Sequence, residues 1–320
     1  MTGDGPDPLP EPAAVAEPVR ADVPPEVRRT GEVFGRVHGR EPDTVRRVHG
    51  GVSLFDGADG TALALALPWG VVVAAGPSGD GRVDVRAADR PADPFAAPAW
   101  GLAAAGPVPA WAAPAVAALV GHAVPAPAVR LVLHRELPEE TDLVDGGAVR
   151  CAVSLALGDV FGPPAGAAPA PSASYTASLR AREAHAVLVA GGEVRHLPCD
   201  LATAGLRLLV ADLGPGAPPP VRAAAPPGLL DRAVATLRTG NLAELGPLLT
   251  EAHVPGASPA DEALAAARDG GALGGRALGR CVVALVAAPD VPDVEAAIRA
   301  RLGIGDEGFR VATPSGVGGP

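Results

Sequence analysis

The amino-acid sequence predicts an α+β fold in two lobes, and three observations carry that expectation. Short apolar runs bounded by turn residues recur along the chain, as strands do. Between them lie segments whose apolar residues fall at helical spacing, such as Val149, Ala152, Val153, Ala156 and Val160. The two kinds are interspersed without a strict strand–helix–strand rhythm, which argues against a doubly wound parallel sheet. A chain of 320 residues, 48% of them hydrophobic, is long enough to bury a large core.

Residues 1–30 are rich in proline and acid, carry no periodic apolar face, and are expected to be a disordered tail. Residues 61–68 alternate Ala and Leu. Trp69-Gly70 then reads as a tight turn into the Val71-Val72-Val73 run, with a third strand at 82–86. An Ala-rich helix is expected within 107–121, a strand at 129–134, a helix at 148–160 and a Pro/Ala loop at 162–172. Strands at 186–190 and 206–212 precede a proline-rich stretch at 215–227. Helices near 229–238, 242–252 and 259–268 follow, then a strand (282–286), a helix (291–301) and a closing strand (309–312). The seam between lobes is expected within 170–205.

Charge narrows the function. The net charge is -10, and every one of the 26 basic residues is arginine, with no cationic stripe to meet a nucleic acid. The prevalence of Ala, Gly, Pro and Arg is what GC-rich codons produce, so a single Ala or Arg means little. Cys151, Cys199 and Cys281 lie far apart without metal-ligand spacing and read as buried free thiols in a reducing cytoplasm. The apolar stretch at 62–75 is interrupted by Pro68 and Gly70 and is too short for a bilayer. A soluble cytoplasmic protein, with no membrane or nucleic-acid partner, is expected.

Seven segments then occur in a telling order: residues 31–45 (GEVFGRVHGREPDTV), 48–60 (VHGGVSLFDGADG), 137–159 (LPEETDLVDGGAVRCAVSLALGD), 198–212 (PCDLATAGLRLLVAD), 240–253 (GNLAELGPLLTEAH), 271–286 (GALGGRALGRCVVALV) and 310–315 (RVATPS). Together they resemble galactokinase, of the GHMP sugar-kinase superfamily and especially its actinobacterial members, over about residues 31–316. The resemblance implies a GHMP-kinase-like fold, with an N-terminal lobe over 31–195 and a C-terminal lobe over 196–320.

Phosphoryl transfer to a sugar hydroxyl is mostly positioning and stabilisation of the moving charge. The family uses an Arg in its G-R-V-N signature and an Asp in its D-Q-x-A-S segment; alignment puts Gly51 and Ser174 at those positions. Its phosphate-binding loop opens a helix with serines and glycines. Here the equivalents are Glu140, Asp142, Val144, Asp145, Gly146 and Gly147. Two like charges about 4 Å apart cost about 4 kcal/mol at an effective dielectric of about 20, so such a loop repels ATP. Asp142 or Asp145 would alternatively hold Mg²⁺, or Asp145 and its neighbours would cap the helix. The sugar-binding core is shortened, leaving Asp59 and Gly60 as equivalents, which equally suit a plain hairpin turn. Tyr175, beside Ser174, is a further sugar-site equivalent, and is either a substitute acid–base group or a packed loop residue. The glycine-rich third signature contracts to residues 277–280. These replacements imply a galactokinase-like pseudokinase that binds a sugar or a protein partner and needs no cofactor. The alternative is a weak or unusual galactokinase using ATP and Mg²⁺.

Overall fold

The computed structural model describes residues 23–123, 125–136, 146–164, 172–214 and 224–315. Helix α1 (Pro25–His38) begins with proline in its first turn, where the missing N–H costs nothing, and ends at Gly39 in the left-handed region (φ 68°). The helix therefore starts inside the stretch expected to be a tail; residues 1–22 of that stretch lie outside the described residues.

Strands β1 (Thr44–Asp56) and β2 (Ala62–Pro77) form one long antiparallel hairpin. The tight turn expected at Trp69-Gly70 is absent, because β2 runs straight through it. Gly70 has another reason: a Cβ there would lie 2.8 Å from the Val48 carbonyl carbon, where β1 bulges between His49 and Gly50. On its other flank β2 pairs with β5 (Val129–Arg135) and β6 (His185–Ala190). Beyond β5 come β3 (Arg82–Ala87), parallel to it, and then β4 (Arg90–Pro98). Beyond β6 comes β7 (Glu193–Pro198), completing a seven-stranded sheet. Helices α2 (Ala113–His122), α3 (Gly147–Phe161) and α4 (Ala173–Arg180) accompany this sheet.

The second sheet is antiparallel, with strand order β11 (Phe309–Ala312), β8 (Leu206–Asp212), β10 (Cys281–Ala287), β9 (Gly274–Leu278). Its period-two alternation serves two cores. Leu208, Val210, Val283 and Leu285 join the large core shared with the first sheet and with α5 (Leu229–Thr239) and α6 (Leu245–Glu251). Leu209, Ala211, Val282 and Ala284 face α7 (Pro259–Asp269) and α8 (Val291–Leu302) instead. Burial on both faces explains why β8 and β10 read as unbroken apolar runs. The change of sheet falls between Pro198 and Leu206, a little beyond the expected lobe boundary at 195/196.

Cys151 on α3, Cys199 after β7 and Cys281 opening β10 are all free and buried. Burial pushes each thiol up to about 12. Among the described residues no helix is long and apolar enough to cross a membrane.

Candidate functional site

The two positions singled out for catalysis meet. Gly51 lies on β1 where that strand packs against α4, and its nearest neighbour is Ser174. A Cβ built on Gly51 would fall inside the Ser174 carbonyl oxygen, 2.7 Å from the carbonyl carbon and 3.0 Å from Cα. Those are backbone atoms of a helix and cannot swing aside. Gly51 is glycine because a helix occupies the space of its side chain.

Helix α4 starts there for a local reason. Ser172 caps it, its Oγ accepting the Tyr175 N–H at 3.3 Å while its carbonyl accepts the Thr176 N–H at 2.9 Å. The Ser172 and Ser174 hydroxyls are 2.9 Å apart, and Ser174 is only 2% exposed. Ser174 thus supplies a buried neutral hydroxyl engaged with a neighbour. Tyr175 packs against the main core. Burial raises its phenol pKa, only partly offset by a hydrogen bond with Ser154 on α3, so at neutral pH the group stays a protonated phenol and not the phenolate a base requires. It lies in the first turn of α4 and not in a loop, because Ser172 caps the helix just before it.

Helix α3 is entered through Gly146. Gly146 has φ +71°, and a Cβ there would also meet the Pro114 ring at 2.6 Å, so only glycine fits the entry to the helix. Gly147, the first helical residue, is buried. Glu140, Asp142, Val144 and Asp145 lie outside the described residues.

Asp59 and Gly60 form a hairpin turn. Gly57 N–H donates to Thr61 O (2.6 Å), Gly60 has φ +81°, and the Asp59 carboxylate accepts the Thr61 N–H at 2.9 Å. That N–H holds the Asp59 pKa below the ordinary carboxylate range. The turn stands six residues beyond Gly51, about 20 Å along the strand, so the structure does not bring Asp59 to Gly51, Ser174 and Tyr175. The 277–280 segment is likewise a tight connection: Leu278 pairs with Cys281, Gly279 has φ +61°, and Arg280 holds Asp212 at 3.1 Å.

Sequence reasoning passed over Arg276. It sits in β9 only 5% exposed and donates through Nη1 to the Leu54 carbonyl of β1 at 2.6 Å, tying the two sheets together. An arginine inside a strand of small apolar residues was the signal. No group of three or more His, Cys, Asp or Glu side chains suited to a metal occurs among the described residues. Neither position 51 nor position 174 carries a charged side chain.

No protein-family model matches the sequence, and no curated protein does. Solved structures do. Lactococcus lactis galactokinase complexed with galactose superposes with a TM-score of 0.68 at 14% identity, over 91% of this chain and 98% of that one. Mevalonate kinase of L. major with R-mevalonate gives 0.54 at 14%, over 85% and 96%. Homoserine kinase from Cytophaga hutchinsonii gives 0.53 at 16%, over 86% and 95%. At such identities the likeness is one of fold, and the fold is that of the GHMP kinases.

Proposed function

We propose that the chain is a galactokinase-like pseudokinase, a binding protein on a kinase scaffold that does not phosphorylate sugar. One observation carries the reading: the position aligned with the catalytic arginine is filled by the backbone of the residue aligned with the catalytic aspartate. A general base must accept the sugar proton, and a cation must meet the transferred phosphoryl group. Ser174 accepts no proton at neutral pH, and position 51 has no room for a cation. The shortened β1–β2 turn supports loss of the sugar clamp on that side. Galactose, bound in the Lactococcus neighbour, is the first ligand to test, with a protein partner next. Three buried free thiols and the acidic net charge support a cytoplasmic setting.

The test is ADP release with galactose and Mg²⁺·ATP. The expected outcome is no turnover above a mock purification, together with calorimetric nucleotide binding weaker than about 1 mM, or less than about 4 kcal/mol. Turnover proportional to protein would overturn the reading and favour the weak-kinase alternative, with ATP and Mg²⁺ as its cofactors. Thermal shift with sugars, sugar phosphates and nucleotides identifies the ligand, since binding to the folded state alone raises the midpoint.

A further inference from the structure

Strand β4 is the outer strand of the first sheet, and the segment after it folds back to form an open groove of about 610 Å³. Its walls are uncharged and supplied mainly by Pro94, Phe95, Pro98, Trp100, Pro107 and Pro109. Trp100 is 81% exposed. An indole left in water among proline rings is a large apolar surface without a partner. Aromatic and proline-lined grooves bind polyproline II segments, whose preformed helix loses little entropy on docking.

The chain itself contains such a segment. Residues 6–12 read PDPLPEP. In a polyproline II helix, with three residues per turn, Pro6, Leu9 and Pro12 would share one face, leaving Asp7 and Glu11 on the other two. Arg82, opposite Pro98 on β3 and exposed at the groove's rim, complements those acids. The tether is long enough. Helix α1 is fixed to β1 by Glu26–Arg47 at 3.0 Å. Crossing from β1 through β2, β5 and β3 to β4 takes four strand spacings, about 19 Å, and Arg47, level with the end of β3 beyond Ala87, is about 20 Å along the strands from the level of Arg82, a span of about 28 Å in all. Residues 13–22 reach about 33 Å when extended. A tethered segment has an effective concentration on the order of millimolar, so even a weak contact is populated.

We propose that the Trp100 groove is the docking site of the chain's own proline-rich segment, residues 6–12, with Pro6, Leu9 and Pro12 against the indole. Acrylamide quenching tests it. The Trp100 contribution is the difference between the full chain and its Trp100→Phe variant. In full-length Leu9→Asp that contribution should quench about threefold more readily than in the wild type, because the indole returns to water. Pro6→Gly with Pro12→Gly should act alike, Pro18→Gly should change nothing, and a synthetic peptide of residues 3–14 should restore protection to Leu9→Asp. Equal quenching in wild type and Leu9→Asp overturns the proposal. So does wild-type protection that fades on dilution, which would put the segment on a neighbouring molecule.

Discussion

At Gly51 a single missing Cβ decides both packing and chemistry. Gly51→Ala pushes a methyl group into the first turn of α4, and overpacking of this kind costs about 3 kcal/mol. Urea unfolding should show that loss. The double variant Gly51→Arg, Ser174→Asp should unfold more readily still and show no galactose phosphorylation, since the added guanidinium displaces the helix that bears the new carboxylate. A robust rate from it would mean that the site is already built but for two groups. A second residue, Asp261, makes a pH prediction. Its carboxylate accepts the N–H (2.7 Å) and O–H (2.8 Å) of Ser258, the Gly256 N–H and His253 Nε2–H. The Ser258 N–H above all holds its pKa well below the carboxylate range. A depressed folded-state pKa contributes stability that is complete above the unfolded value of about 4 and is lost as pH falls toward the folded value. Asp261→Asn should therefore cost about 2 kcal/mol at pH 7, and the gap should narrow below about pH 3. A gap constant with pH would rule out the charge as its source. Motif order drew attention to position 51, but the crowding there was not legible, because the clash comes from a helix distant in sequence.

Among the elements, β9 is one of the two edge strands of its sheet, opposite β11. Its outward N–H groups are nevertheless satisfied: Gly275 donates to Thr250 Oγ1 (3.1 Å) and Ala277 to His253 Nδ1 (3.4 Å). Since Nδ1 accepts, the His253 ring proton resides on Nε2, facing Asp261. Two side chains of α6 and its exit thereby close an edge that would otherwise recruit another strand. Replacing both, Thr250→Val with His253→Leu, should lower stability by about 2 kcal/mol and produce concentration-dependent self-association in sedimentation velocity. A variant that stays monomeric at high concentration would show that the edge needs no such cover. Elements with apolar periodicity, including α3, β6, β8 and β10, were legible in the sequence. β4 was not, because Pro91, Pro94 and Pro98 mask a strand that tolerates them only as an edge. β9 was hidden by its glycines and by Arg276. The Trp69-Gly70 turn was misread because a glycine demanded by a neighbouring strand looks, in one dimension, like a glycine demanded by a turn.

For the molecule as a whole, one core spanning both sheets, together with Arg276 reaching from β9 to Leu54, couples the two halves. Arg276→Met strips the Leu54 carbonyl of a charged donor in a buried place and should cost about 3 kcal/mol. Wild-type calorimetry should show one transition, and separation into two on mutation would identify Arg276 as the coupling. The overall fold was readable from the order of seven weak segments, since core strands and helices tolerate change that keeps their pattern. The candidate site was readable only as a set of replacements, its geometry being made by contacts between β1 and α4. The three cysteines offer a further use of that shared interior. They mark a helix beside the first sheet, the passage between sheets, and the middle of the second. With thiols shifted to about 12, each reacts with an alkylating reagent only during an opening that admits water. Native-state labelling followed by peptide mapping therefore gives three independent clocks: equal rates report global unfolding, and a fast thiol names the region that breathes first.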